Sequence, residues 1–480
     1  MQSLKLVGKR ISLIYMLTNR LLLKAVPFPG LSHSVVRQYS QDVGHSIKDA
    51  IDKNKASSTN NNLTIANKQR LYMLDTCSPG SPFFLPNGTR IINRLVNFMK
   101  LQQSKQDFTE VMTPLIFKKD LWQISGHWQH YKEDMFRVES NVKSKVSTEE
   151  TDDVYGLKPM NCPGHCLIFK RFSRSHNELP IRLSDWSSLH RNEASGALSG
   201  LTRVRRFHQD DGHIFCTSSQ VSGEIEKTLK LIKLCYSVFG LNDLRMVLST
   251  RPPDKFIGKI EEWDLAEKEL GKVLDKTVGV HKWSINAGDG AFYGPKIDIL
   301  LTDKYGKESQ VATIQLDFQL PQRFGLKYQS VNDTLETPIL IHRAVFGSVE
   351  RFLAMLIDHY GGKWPFWLSP RQAVIIPINQ NHVAYARKLQ ETLSNEKHDF
   401  ESPAKLSDQH FYVDMDDRNS TVGFRTKNAI SRAYNFIIMV GDKEIESGKL
   451  AIRPRSSRKV NHLTSDEILQ QFNTLTEHYE

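Results

Sequence analysis

The 480-residue sequence lacks both common glycine-rich phosphate loops. It holds no G-x-x-x-x-G-K-[ST] and no strand-anchored G-x-G-x-x-G, so a nucleotide site here would have to be built from side chains on a sheet. Cysteine is scarce: Cys77, Cys162, Cys166, Cys216 and Cys235 are too few and too irregularly spaced for a disulfide framework, which points to a reducing compartment. No uninterrupted apolar run approaches the roughly 20 residues of a membrane-spanning helix, and no internal repeat is visible. Acidic residues are missing altogether before Asp42.

What is present suits a globular chain. Hydrophobic residues make up 39%, aromatics 9% and charged residues 24%, which excludes disorder throughout and collagen-like repetition. The length suggests two or three domains. The formal charge of +11 is compatible with nucleic acid, an anionic surface or a phosphorylated substrate and selects none of them. Its distribution says more. Lys5, Lys9, Arg10, Arg20, Lys24 and Arg37 supply six of those charges in an acid-free segment with apolar patches at residues 11–17 and 21–23. That is the composition of an amphipathic mitochondrial transit peptide over residues 1–41; a disordered basic tail or a short anchor would be the alternatives. Residues 371–480 balance 15 basic against 15 acidic side chains, so global basicity says little about nucleic acid there.

Residues 42–69 are polar, with the run Ser57-Ser58-Thr59-Asn60-Asn61-Asn62, and read as a linker. A first folded domain is expected over 70–368. Ile91, Ile92, Leu95, Val96, Phe98 and Met99 recur at helical spacing behind the turn Pro86-Asn87-Gly88, and a strand is expected at 108–114. Residues 139–153 read as a surface loop, 180–215 as a long hairpin, 283–318 as strand-rich, and 343–360 as an apolar-rich helix. From 369 to 480 strands and helices alternate, which predicts a separate α/β domain. Lys449, Arg453, Arg455, Arg458 and Lys459 form a basic run there, either a nucleic-acid contact or a solvated face.

The hairpin carries the strongest chemical signal. In a strand over 205–215, alternation puts Phe207, Gln209, Asp211 and His213 on one face, and Arg191 and Glu193 share a face of the preceding strand. A ring, an amide, a carboxylate and an imidazole in one row suit a pocket floor, with a guanidinium for phosphate and a carboxylate for an exocyclic amine. A solvated, salt-bridged hairpin would show the same pattern. Arg351, at the end of His342-Arg343-Ala344-Val345-Phe346-Gly347-Ser348-Val349-Glu350-Arg351, sits in an apolar helix pattern, where it needs an anionic or π partner. Met160-Asn161-Cys162-Pro163-Gly164-His165-Cys166 is a Pro-Gly turn with incidental cysteines, half of a zinc knuckle, or the source of one thiolate that joins His213 and His342 in a metal site with an open position.

At these residues the chain resembles the threonyl-tRNA synthetases, class II aminoacyl-tRNA synthetases. The resemblance runs from about Leu71 to the C-terminus. Its markers are M-N-C-P-G-H at 160–165, H-R-N-E at 190–193, F-x-Q-D-D-x-H at 207–213, A-F-Y-G-P-K at 291–296 and H-R-A-x-x-G-S-x-E-R at 342–351. It implies an α+β catalytic domain, an antiparallel six-stranded sheet flanked by helices, followed by an anticodon-binding α/β domain at 369–480, with dimerisation through the helix and strand that end at Pro114. It implies that Arg191 holds the α-phosphate and Glu193 the adenine amine. Phe207 and Arg351 would sandwich the adenine, Arg203 would reach the outer phosphates, and Gln315 and Ser348 would lie near the nucleotide. Cys162, His213 and His342 would ligate one Zn²⁺ per subunit, which takes the threonine amino and hydroxyl groups. Asp211 would accept the threonine hydroxyl, Tyr293 and Gln209 would lie near the amino and carboxylate groups, and Met160 and Lys296 would line the pocket. Mg²⁺ would accompany ATP, and His127 falls where the family has a candidate proton relay to the tRNA terminal ribose.

The expected reaction is activation of threonine by ATP and its transfer to tRNA(Thr) in the mitochondrial matrix, by a homodimer without membrane attachment. Only about 30 residues lie between the presumed transit peptide and the catalytic core, too few for the N-terminal editing domain of bacterial-type members, so a short form without editing in cis is expected. A synthetase for proline or serine would share the adenylate machinery but lack the zinc triad. A non-catalytic accessory subunit would be expected to lose Arg191, Arg351 or the metal ligands.

Overall fold

A computed structural model describes residues 62–139, 154–254, 256–302, 308–394 and 410–480. The expected transit segment, residues 42–61 of the expected linker and 140–153 of the expected surface loop lie outside the described residues. Residues 62–69, read as the end of that linker, instead form helix α1 (Asn62–Gln69). Its Ala66 is buried, and Gln69 donates to Gly362 O at 2.6 Å and accepts from Trp364 Nε1 at 2.8 Å. These contacts to residues distant in sequence outweigh the polar local composition.

The first folded region is built on one large sheet made of β1 (Thr109–Glu110), β2 (Ile181–Asp185), β3 (Asp211–Cys216), β4 (Leu244–Ser249), β5 (Ser284–Asn286), β6 (Lys296–Thr302), β7 (Glu308–Asp317) and β8 (Ile339–Ala344). The spatial order is β5-β4-β6-β7-β8-β3-β2-β1. The six strands from β4 to β2 pair antiparallel throughout, and the two short edge strands add in parallel. Period-2 alternation sends Ile214, Ile341, Ile314 and Ile297 to one face. There they join one buried cluster with Leu95 of α2 (Pro86–Ser104), Ile232 of α3 (Val221–Val238), Leu270 of α4 (Ile260–Thr277) and Leu353 of α5 (Val349–Tyr360). Each such side chain contributes about 1.5–3 kcal/mol of burial. The opposite face is left for chemistry.

Three local expectations are corrected. The strand expected at 108–114 reaches only Glu110, because the Thr113 N–H and Oγ both donate to Asp185 Oδ2, at 3.0 and 2.7 Å, instead of joining a ladder. The helix expected over 343–360 begins at Val349. Before it, residues up to Ala344 belong to β8, and Asp210 takes the Val345 and Phe346 N–H groups at 2.7 and 2.9 Å. Gly347 then turns the chain at φ 64°, a conformation that favours glycine, and the Ser348 side chain accepts from Arg351 N as an N-cap. The 180–215 hairpin is broken in two: β2 pairs with β3, while Ser188–His190 pairs separately with Arg206–His208.

The C-terminal region has its own five-stranded mixed sheet of β9 (Ala373–Pro377), β10 (Val413–Met415), β11 (Phe436–Val440), β12 (Leu450–Pro454) and β13 (Asn461–Leu463), in the order β10-β9-β11-β12-β13. Helices at Val383–Ser394 and Ser465–Glu477 cover it through a cluster that includes Leu389, Ile438 and Phe472. Arg455, from the basic run, is engaged internally: its guanidinium donates to Trp364 O at 2.7 Å and Ala433 O at 3.0 Å. Arg458 and Lys459 are exposed.

Candidate active site

The free face of the sheet brings distant residues into one row. In the register, Lys296 of β6 faces Gln315 of β7, Gln315 faces His342 of β8, and His342 faces His213 of β3. One step along, Asp298 faces Thr313 and Thr313 faces Ala344, with Asp211 beside them on β3. Over this floor lies a cavity of about 300 Å³ lined by Met160, Cys162, Arg191, Gln209, Asp211, His213, Tyr293, Lys296, Gln315 and His342. Ten of the sequence-predicted residues therefore converge on one cavity.

Cys162 enters from the first turn of the helix Cys162–Lys170. One donor atom from each of Cys162, His213 and His342 lies within 4.8 Å of the others, and all three residues are buried. The knuckle alternative fails, because His165 and Cys166 are not part of this group. His342 Nε2 is bonded to Asp317 Oδ2 at 2.9 Å. With the proton on that side, the Nδ1 lone pair faces His213 Nε2, 2.9 Å away. Burial pushes the Cys162 thiol well up and the His213 imidazole well down from their ordinary values. One thiol and two imidazoles, one oriented by a carboxylate, are the donor set of a zinc site with an open position. The residues fit the metal.

Beside them, Asp211 Oδ2 accepts from Asn161 Nδ2 at 3.1 Å. Burial raises the Asp211 carboxyl to about 6, against the opposing pull of His342 and the Asn161 hydrogen bond. Tyr293 donates to Gln315 Oε1 at 2.9 Å and lies with its ring 5.2 Å from that of His342. The loop can bring Tyr293 this close because Gly294 follows it: a Cβ there would stand 1.7 Å from Leu316 O. Lys296 Nζ lies between Asp289 and Asp298, at 3.1 and 3.0 Å.

The remaining predicted residues lie on the hairpin and at the start of α5. Phe207 packs with Leu189 and Val204, and the Arg191 guanidinium stands 5.0 Å from its ring centre and 6.0 Å from that of Tyr131. Arg191 Nε is buried and has no hydrogen-bond partner among the described residues. Glu193 and Arg203 are bonded to each other at 2.7 Å. Ser348 bridges to Gln209. Arg351 is exposed rather than embedded in apolar surroundings, and its Nε donates to Thr202 O at 3.3 Å. Its position in the first turn of α5 explains the difference, since that turn faces the hairpin. His127 is fully buried beside Phe292, with Nδ1 2.7 Å from Ser125 Oγ and Nε2 without a partner among the described residues.

Two supporting residues escaped the sequence reading. Asp317 lies two residues beyond Gln315 on the same face of β7, so alternation could have found it. Asn161 lay inside a recognised motif, but its bond to Asp211 depends on tertiary packing.

The family model described as "tRNA synthetase class II core domain (G, H, P, S and T)" matches residues 136–360, and that of the "Anticodon binding domain" matches 372–475. The mitochondrial threonine–tRNA ligase of Saccharomyces cerevisiae is 52% identical over 443 residues, covering 89% of this chain and 94% of that protein. A probable mitochondrial threonine–tRNA ligase of Schizosaccharomyces pombe is 47% identical over 432 residues, covering 88% and 90%. A crystal structure described as the RNA binding domain of threonyl-tRNA synthetase from Cryptosporidium parvum superposes with a TM-score of 0.79 at 41% identity, over 86% of this chain and 98% of that one.

Proposed function

Because the chain belongs to the threonine–tRNA ligases, class II aminoacyl-tRNA synthetases that use ATP with Mg²⁺ to charge tRNA, we propose an assignment of its active-site residues to the two halves of that reaction. The observation that carries it is the convergence of Cys162, His213 and His342 beside Asp211 on the open face of the sheet.

Cys162, His213 and His342 would hold Zn²⁺, which would supply Lewis-acid chemistry toward the substrate amino and hydroxyl groups. Asp211, fixed by Asn161, accepts the threonine hydroxyl proton. Tyr293 and Gln209 position the amino and carboxylate groups, and Met160 and Lys296 complete the pocket. A site that must bind a hydroxyl rejects valine far better than the roughly hundredfold available to an apolar pocket.

On the nucleotide side, Phe207 and Arg351 sandwich the adenine, Gln315 and Ser348 lie near the nucleotide, and Glu193 accepts from the exocyclic amine. Arg191 binds the α-phosphate and stabilises the charge that develops as the threonine carboxylate attacks phosphorus. Arg203 serves the outer phosphates, so ATP binding must part it from Glu193. That surface pair is worth no more than about 1 kcal/mol, a small obstacle. His127 then takes part in transfer to the tRNA ribose.

We place the enzyme in the mitochondrial matrix, acting on mitochondrial tRNA(Thr), in keeping with the mitochondrial relatives. We further propose a homodimer through helix α2 and the segment that ends at Pro114, where Leu101 of α2 and Met112 just beyond β1 are exposed. None of the described helices is long and apolar enough to cross a membrane. The test is threonine-dependent ATP–pyrophosphate exchange before and after zinc removal, with proline, serine and valine as competitors. Exchange that survives complete zinc removal would overturn the metal assignment.

A further inference from the structure

Opposite the cavity, the hairpin and α5 are tied together by a buried carboxylate. Glu350, whose side chain is 1% exposed, accepts the His208 backbone N–H at both oxygens, at 3.2 and 3.0 Å. It also bonds His208 Nδ1 at 2.9 Å and accepts from Ser348 Oγ at 3.1 Å. On the far side of the ring, His208 Nε2 lies 3.0 Å from Ser188 Oγ and 3.3 Å from Arg206 Nη2. The order Ser188–His208–Glu350 is that of a hydrolytic triad, but the serine oxygen also accepts from Arg206 at 3.1 Å, so the chain of bonds reads as a brace.

Its place in the sequence gives the brace a function. His208 directly follows Phe207 and Glu350 directly precedes Arg351, the two residues assigned to opposite faces of the adenine. The gap between ring and guanidinium is therefore set by the distance between residues 208 and 350. The Gln209–Ser348 bridge holds the same gap one residue further along. We infer that His208 and Glu350 are positioning residues that hold the adenine slot at its working width, acting on ATP binding and not on threonine binding. The inference rests on the adenine assignment to Phe207 and Arg351.

The test measures KM for ATP and for threonine by pyrophosphate exchange in the full chain. An asparagine amide reaches the place of a histidine Nδ1, whereas a glutamine amide reaches that of Nε2. His208→Asn should therefore keep most of the ATP affinity. His208→Gln and Glu350→Gln should each raise KM for ATP about tenfold, the worth of a hydrogen bond to a charged group, with KM for threonine unmoved. Asparagine and glutamine behaving alike, or both KM values rising together, would overturn the inference. Should Glu350→Gln fail to fold, the two His208 variants still decide, since that ring is 25% exposed. Phe207→Ala and Arg351→Ala separate the two levels. If they leave KM for ATP unchanged, the adenine assignment falls. If they raise it while the brace variants do not, only the brace falls.

Discussion

On the proposed threonine side of the cleft, Lys296, His342 and His213 stand on β6, β8 and β3 and are fixed by ladder register, with Asp317 and Asn161 pinning His342 and Asp211 from behind. On the proposed nucleotide side, Glu193 and Arg203 hang from the hairpin loop and satisfy one another, and Arg351 is exposed. The difference follows from what each half must do. Discriminating one hydroxyl needs donor atoms held before the substrate arrives. A triphosphate brings enough charge to reorganise exposed arginines as it binds.

Breaking the fixed half should therefore cost most. Cys162→Ala removes one of the proposed metal ligands and should lower threonine-dependent exchange by at least about 10³-fold, since a Lewis acid contributes several kcal/mol. ATP affinity should hardly change. Metal content and exchange on the same preparation check this, and zinc-replete protein with intact activity would contradict it. With the metal site whole, serine keeps the hydroxyl and loses only a methyl. Its kcat/KM should fall only about 10–200-fold below that of threonine, as measured by exchange with each amino acid.

Asp317→Asn sharpens the comparison without touching a ligand. An amide cannot accept the His342 Nε2 proton as the carboxylate does, so the tautomer that offers Nδ1 to the metal is disfavoured. Zinc affinity should drop about 10–100-fold, read by chelator competition, with KM for ATP as the internal control. Arg203→Ala probes the adaptable half, and KM for ATP should rise less than about tenfold because an exposed charge contact is worth little. A larger effect than that of Asp317→Asn would reverse the contrast between the halves.

The sequence shows the two halves unequally, and for a physical reason. Asp211 and His213 alternate on β3, so strand alternation exposed that part of the row, but the expected continuous strand breaks after His208 and puts Phe207 on a separate ladder. The pairing of His213 with His342 spans 129 positions and is fixed by ladder register, which spacing cannot reveal; there the family resemblance supplied what local pattern could not. Val345 and Phe346 read as helix because apolar residues suit either period, whereas Asp210, from the segment just before β3, takes their N–H groups where β8 ends. Most of the C-terminal α/β alternation was legible because its longer elements announce themselves locally, whereas the short helix Asp442–Ser447 and the edge strand β13 did not stand out from the polar segments around them.

His127 offers the smallest effect and a test of a different kind, because its outcome is a constant. Burial, followed by the charges of His342, Arg323, His130 and Arg191, lowers its pKa from 6.5 to about 3. A group meant to accept a proton therefore stays neutral through the physiological range. If it serves the transfer step, the ratio of wild-type to His127→Asn rates, from single-turnover transfer of threonine to tRNA, should stay flat from pH 8 to pH 5. Titration near 6.5 would instead make the ratio fall steadily below that pH. The unfolded chain takes up this proton near pH 6.5 and the folded chain does not, so stability is lost as pH falls from there toward 3, by at most about 1.4 kcal/mol per pH unit. His127→Asn should remove that increment from the urea midpoint, and a flat transfer ratio together with the missing increment would tie the neutral imidazole to its burial.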